Sequence, residues 1–417
     1  MSTNFTLPIQ VVEAGPVTAW LVEDHSVPVV SLSWSWPGGA ARDAAGAEGT
    51  MAMATAMLSE GAGDLDATAF QDALRDAAIG LSFSAGRDNF EGGFRCLTDA
   101  LPEALRLARL AMTAPRFEAD AVERVRARAI AGARQVLETP RGQASRAFWA
   151  AAFPQHPAGR PSGGTAESLA GVTVEAMRAA LAAQLRRGGV LVAAAGAIRP
   201  AELAALLPDL LGSLPEGAPS APPPLPPFTA FGRQVVPVPS SQSQVIIGQP
   251  GIAATDPDWE AAQVVLRVLG GGGFSSRLMQ AVRVERGLTY GIGAGLDTIF
   301  GGGVVTSAFA TENARVAEAL EVTKRVWSEL AASGPTPGEL DEAVAYLTGS
   351  LPLQFTDTRR IAATLLAMRR NARPLDWLDG RTERLRAVTV PTAARVAGAL
   401  LRPGDLAVTV AGQPVGI

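Results

Sequence analysis

Sulfur and imidazole are scarce in this chain, which holds one cysteine and two histidines in 417 residues. The lone cysteine, Cys96, excludes an internal disulfide and any multi-cysteine zinc site. It lies in the strand-like FEGGFRCLT, where a core thiol is the expected role rather than a nucleophile. His25, in VEDHSVP, falls between two strand-like runs, and His156, in FPQHPAGRP, falls in a proline-rich loop. Neither has a matching partner nearby, so surface or loop-packing roles are expected of both. No G-x-S-x-G elbow occurs, and RPSGGT (160–165) has the wrong spacing for one. LGGGGFSSRL (269–278) is no phosphate loop, because Phe274 follows the last glycine where a lysine and then Ser or Thr are required.

Charge of one sign is also missing. Thirty-six basic and 40 acidic side chains give a net charge of −4, and no basic stripe stands out, so nucleic acid is not an expected partner. No stretch of about eighteen or more apolar residues is present to span a bilayer. Residues 1–10, MSTNFTLPIQ, lack the basic start and apolar run of a signal peptide. The compartment stays open: cytoplasmic for the chain as it stands, periplasmic if a leader precedes it.

What is present points to a well-packed protein of two or more domains, with 47% hydrophobic and 18% charged residues. PEGAPSAPPPLPPF (215–228) is too rich in proline for helix and reads as an extended strap near the middle of the chain. The two sides of it repeat one another. GLSFSAG (80–86) answers GLTYGIG (287–293) at an offset of 207, and VAAAG (192–196) answers VTVAG (408–412) at an offset of 216. FEADAVERVRARA (117–129) resembles TPGELDEAVAYLT (336–348) in the same order. This predicts a tandem duplication of one domain. Within the first half, VPVVSLSWSWPGG (27–39) alternates as a half-buried strand, and helices are expected over about 45–59, 66–78, 100–153 and 172–185. GVLVAAAG (189–196) reads as a buried strand. The expected fold class is α+β: two tandem α/β sandwich domains, each a mainly antiparallel sheet covered by helices.

The run GGGGFSSRLMQAVRVERGLTYGIGAGL (270–296) resembles the second-domain signature of the pitrilysin/insulinase family of zinc peptidases. That family includes the mitochondrial processing peptidases and the core proteins of the cytochrome bc1 complex. FPQHPAGRPSGGTAESLAGVT (153–173) resembles a second family pattern, and the duplication and proline-bearing linker agree with both. The resemblance implies a first domain over 1–214, a linker over 215–232 and a second domain over 233–417.

Active members carry H-x-x-E-H on a first-domain helix, two histidines for zinc and a glutamate as general base. Here that helix reads GTMAMATAMLSEGAG (49–63), and Ala52, Thr55 and Ala56 stand at the three positions. The family's third ligand, a glutamate on the next long helix, has no counterpart in RVRARAIAGARQVL (124–137). No metal and no cofactor are therefore expected in this chain; zinc is expected on a partner. Met51, Met53 and Met57 read as helix and core packing.

What the resemblance does retain is an arginine and a tyrosine seven residues apart, Arg283 near the end of a helix and Tyr290 at the start of a strand. In the family these reach across a chamber to the substrate near the metal. A guanidinium offers fixed donors to a peptide carbonyl or carboxylate, and a phenol can donate to a developing oxyanion. The first-half counterpart of Tyr290 is Phe83, which fills space but donates nothing. Gly270, Gly271, Gly272 and Gly273 are either a static turn or a moving substrate gate.

The expected function is a non-catalytic, substrate-binding subunit of a heterodimeric zinc metallopeptidase, whose partner bears H-x-x-E-H and whose substrates are peptides. The alternatives are an inert structural subunit like the core proteins and a peptide-binding chamber without catalysis.

Overall fold

A computed structural model describes residues 6–417; residues 1–5 of the stretch read for a leader lie outside the described residues. The first half contributes β1 (Ile9–Ala14), β2 (Val17–Glu23), β3 (Val29–Pro37), β4 (Gly80–Ala85), β5 (Asn89–Leu97) and β6 (Leu191–Gly196). They form a six-stranded sheet in the order β1-β2-β6-β3-β5-β4. The second half contributes β7 (Arg233–Pro237), β8 (Gln242–Pro250), β9 (Ile292–Ile299), β10 (Gly302–Glu312) and β11 (Ala407–Gly412). Their order is β7-β11-β8-β10-β9. Setting β1 aside, the two sheets share order and sense. Among the described residues the only parallel pairs, β2 with β6 and β7 with β11, occupy the same place in each.

Helices α1 (Thr50–Met57), α2 (Ala67–Asp76), α3 (Leu101–Thr113), α4 (Ala119–Glu138), α5 (Pro140–Ala152), α6 (Ala166–Ala170), α7 (Val174–Gln184) and α8 (Pro200–Leu211) belong to the first half. The second has α9 (Trp259–Leu266), α10 (Val316–Ser333), α11 (Pro337–Gly349), α12 (Thr358–Arg370), α13 (Arg381–Arg386) and α14 (Val390–Leu400). Helix α1 is shorter than the expected 45–59. Gly46 and Gly49 have φ of 85° and 90°, which forbids helix before Thr50, and the Asp43 carboxylate accepts from the N–H groups of Gly49 and Met51 to start it. Met51, Met53 and Met57 are all buried in the first core.

Each sheet is covered on both faces, and period-two alternation shows how. On β6, Val192 and Ala194 join the first-half core, whereas Ala193 and Ala195 join a cluster with Ile361, Ala362, Leu365 and Leu366 of α12. On β11, Val408 and Val410 face the second-half core, whereas Ala407 packs with Phe148 and Ala411 with Ala144, both on α5. Helix α5 of the first half thus lies on the second sheet, and α12 of the second half lies on the first. The two helices hold equivalent places in the repeat, each the third helix after its hairpin. Small residues under them permit the approach: a Cβ on Gly248 would fall 2.3 Å from Cζ of Phe148.

The strap 215–232 forms neither helix nor strand and is pinned along its length. Leu225 N–H donates to the Phe300 carbonyl at 3.0 Å, and Thr229 N–H to that of Ala152 at 3.0 Å. The rings of Phe228 and Phe231 stand 6.1 and 5.9 Å from that of Phe148. A further tie joins the hairpin tips of the two halves, where Asp88 accepts from Phe300 N–H at 2.6 Å.

Phe148→Ala removes a fully buried ring from this interface and should cost about 3–5 kcal/mol of unfolding free energy in urea titration; a loss below about 1 kcal/mol would mean that the ring does not hold the halves together.

Candidate functional site

Helix α1 presents Ala52 and Ala56 one turn apart and half-buried, while Thr55 is buried and spends its hydroxyl on the Met51 carbonyl at 2.6 Å. Beside it opens a cavity of about 810 Å³ lined by Ala56, Glu60, Arg124 and Arg128 among others. Glu60 pairs there with Arg124 at 2.7 Å and with Arg128 at 3.5 Å. The face of α4 turned toward α1 therefore brings guanidinium charge to the neighbourhood where a zinc site would require carboxylate and imidazole. No group of three or more His, Cys, Asp or Glu is arranged to hold a metal among the described residues.

The scarce residues singled out earlier fall into structural surroundings. Cys96 is buried in β5, and burial pushes its thiol up to about 11. His156 accepts the Ala158 N–H through Nδ1 at 3.1 Å and stands edge-on to Phe300, with centroids 4.9 Å apart; burial holds its imidazole below the usual value. His25 lies exposed, 2.8 Å from the Glu23 carboxylate.

The corner bearing Arg283 and Tyr290 begins in a wide, π-type helical turn over Met279–Val284. Such turns shift side chains out of α register and recur at functional sites. The chain then reverses: Gly287, at φ 59°, donates to the Arg283 carbonyl at 2.8 Å, and Leu288 donates to Val282 at 2.9 Å. Leu288 is buried and anchors the turn, and Arg315 holds the carbonyls of Arg286 and Gly287 from outside.

Tyr290 does not begin the strand, as expected from GLTYG; β9 starts at Ile292. Thr289 explains the delay. Its hydroxyl donates to the Ala310 carbonyl at 2.7 Å and accepts from Gly291 N–H at 3.2 Å, satisfying locally what a ladder would otherwise supply. The likeness to Phe83 ends there. Phe83 is half-buried within β4, with its ring 6.2 Å from that of Trp34, whereas Tyr290 is 89% exposed.

Arg283 and Tyr290 do come together. The guanidinium carbon of Arg283 lies 4.8 Å from the Tyr290 ring centre and 4.5 Å from that of Phe274. Phe274 is itself 61% exposed. Among the described residues the Arg283 guanidinium makes no hydrogen bond and no ion pair; it packs on these two rings. Cation–π contact at an exposed site is worth about 0.5–1 kcal/mol per ring, enough to bias the side chain while leaving its N–H groups unspent. Phe274 had been read only as the break in a phosphate loop. An aromatic placed after a glycine run, with no core to enter, was the available signal.

The glycine run builds the turn that presents Phe274. Gly270 is buried against β9, where a Cβ would come 2.4 Å from Ala294 N, while Gly273 takes φ 58° in open space. Gly271 and Gly273 are exposed. Just beyond, Arg277 clamps Glu339, the residue that also completes the N-terminal cap of α11. The two contacts are 2.6 and 2.7 Å, and a third bond reaches the Gly334 carbonyl at 3.1 Å. The arginine in the SSRL motif is thus a fastening between the corner's base and α11.

Two tandem sheet-and-helix halves, a first helix without ligating side chains and an arginine beside a tyrosine are the features to set against known proteins. Residues 171–347 match the family described as Peptidase M16 inactive domain. A Pseudomonas fluorescens structure described as a peptidase M16 inactive domain is 26% identical and superposes with a TM-score of 0.92, over 98% of this chain and 99% of that one. A Helicobacter pylori protein, named non-peptidase homolog YmxG, is 25% identical over 80% of this chain and 77% of its own. An uncharacterized zinc protease of Mycobacterium tuberculosis is 33% identical over 221 residues, 51% of this chain and 49% of its own. Over nearly its whole length the chain is thus similar to proteins described as inactive or non-peptidase members of the M16 peptidases, and residues 171–347 carry the match to that family's inactive domain.

The Arg277 clamp makes an acid-sensitive prediction. Hydrogen bonds from Arg277 draw the Glu339 carboxyl from 4.5 down to about 2, so its stabilisation is complete above pH 4.5 and is lost as pH falls through that window. Glu339→Gln should lower unfolding free energy at pH 7 by about 1.5–3 kcal/mol. The gap from the wild type should close in urea titrations toward pH 2. A gap that does not change with pH would refute an ionic clamp.

Proposed function

We propose that this chain is the substrate-binding subunit of a heterodimeric zinc metallopeptidase. Zinc and H-x-x-E-H lie on the partner, and Arg283 and Tyr290 act there in trans. The observation that carries the reading is the unspent guanidinium of Arg283, held between two exposed rings. Most arginines here are folded into pairs and carbonyl contacts, and Arg283 is among the few whose guanidinium is not. Its fork matches a peptide carbonyl or carboxylate of a bound substrate. Tyr290 beside it offers a phenol O–H to the oxyanion that forms when a zinc-bound water attacks the scissile carbonyl.

In this reading the two subunits enclose a chamber that admits unfolded peptides. Ala52, Thr55 and Ala56 supply neither ligand nor base, so the chain binds no zinc of its own and cleaves nothing alone. The glycine turn at 270–273 serves to hold Phe274 against the guanidinium.

Metal analysis of the purified chain should give no stoichiometric zinc, and peptide-hydrolysis assays should give no turnover until an H-x-x-E-H subunit of the family is added. In that complex Arg283→Ala or Tyr290→Phe should each lower turnover by about 10²–10³-fold, as the loss of a transition-state donor does. Unchanged turnover in both variants would leave the chain a structural subunit. Zinc-dependent activity of the chain alone would overturn the division of labour.

A further inference from the structure

A cavity of about 620 Å³ lies in the first half, away from the Arg283 corner, between α4, the start of α5 and the loop 159–164. Its volume is that of a ligand pocket, roughly 300–1,000 Å³. Four arginines line it, Arg87, Arg141, Arg146 and Arg160, and no aspartate or glutamate does. They come from three separate pieces of chain: the turn between β4 and β5, the first half of α5, and the loop. The other wall is apolar, with Val136 and Leu137 of α4, 53% and 37% exposed, facing the indole of Trp149.

The arginines differ in how far the protein satisfies them. Arg87 lies 4.1 Å over the Trp149 ring and donates to the Ala158 carbonyl at 2.7 Å, which fixes it in the wall. Arg160 donates to the Asp43 carbonyl at 2.8 Å and has the Glu48 carboxylate 3.8 Å away, yet its buried Nε has no partner. The guanidinium groups of Arg141 and Arg146 make no hydrogen bond or ion pair among the described residues. The first turn of α5, capped by Thr139, adds its positive end to the same side.

We infer that this cavity binds an acidic peptide segment, its carboxylates on Arg141 and Arg146 and an apolar side chain against Val136, Leu137 and Trp149. A small inorganic anion would engage one guanidinium and leave the apolar wall wet. A ligand with spaced carboxylates and an apolar body uses both walls at once. The inference rests on the reading of this chain as a peptide-binding subunit and names the charge class of peptide that its first half selects.

The test is equilibrium binding to the free chain, so it needs neither a partner subunit nor turnover. A fluorescein-labelled hexapeptide of sequence Asp-Phe-Glu-Leu-Asp-Gly, followed by fluorescence anisotropy, should bind at least about tenfold more tightly than its Asn/Gln twin. The double variant R141Q/R146Q should abolish that preference. G132W is a second block. Gly132 lies in α4 on the cavity wall with open space around its Cβ position, so the indole fills the cavity while helix propensity improves. G132W should weaken the acidic peptide at least about tenfold with unchanged thermal unfolding.

Equal affinity for the two peptides, or an acidic preference that survives R141Q/R146Q, would overturn the inference. So would inorganic phosphate binding at the arginines when the peptide does not. None of these outcomes touches the Arg283 and Tyr290 turnover test, which stands or falls separately.

Discussion

Neither sheet of this protein can bury both of its faces with helices of its own half. The alternation along β6 and β11 puts larger apolar side chains on one face and small ones on the other, alanines with Thr409 among them, and these alanine-rich faces are closed by helices borrowed across the chain. That exchange depends on the absence of side-chain bulk at a few positions, Gly248 above all, where Phe148 occupies the space a Cβ would need. Hydrophobic burial at this crossing is shared between the halves. The duplicated sequence is therefore not two independent folding units on a tether. The strap between the halves is part of the same interface, packed on Phe148 through two of its own phenylalanines.

On this rigid base the Arg283 corner is over-determined. Backbone bonds close the reversal, Leu288 anchors it and Arg277 ties its base to α11. The exposed tip is correspondingly fixed, and the rings of Phe274 and Tyr290 hold the guanidinium without consuming its donors. An arginine spent in a salt bridge would have to break it before engaging any new partner; the Arg283 side chain has only weak aromatic contacts to give up. The first half has gone the opposite way. Where a metal site would sit, Glu60 pairs with arginines of α4, and beyond the far end of that helix arginines of α5 and of two loops line an open cavity.

Much of this was legible in the residues. Strand β3 and the hairpin of β4 and β5 follow from clean alternation and turn glycines, and the long helices follow from their apolar period. The corner at 283–290 was legible only through its resemblance to a family signature, since the spacing of an arginine and a tyrosine alone would read as a solvated and a packed side chain. Four things were not. The helix exchange is invisible to local pattern, since an apolar stripe such as Ile361, Ala362 and Leu365 says that a helix is buried but not against which sheet. The late start of β9 depends on a hydroxyl, that of Thr289, competing with the ladder. The late start of α1 depends on left-handed glycines that composition alone does not reveal. Phe274 escaped because its partner is a charge nine residues away in sequence, a contact made only once the turn has formed.

The borrowed helices also bear on how any enclosed space would be entered. A clamshell opens where two lobes touch lightly; here each lobe has pushed a helix into the other, and the strap is bolted across the seam. Gaping within the chain would peel α5 and α12 off the sheets they cover and expose both alanine faces to water. The two halves are therefore better regarded as one interlocked body. If a chamber is shared with a second polypeptide, as proposed, its opening would fall between the two chains and not at a hinge inside this one.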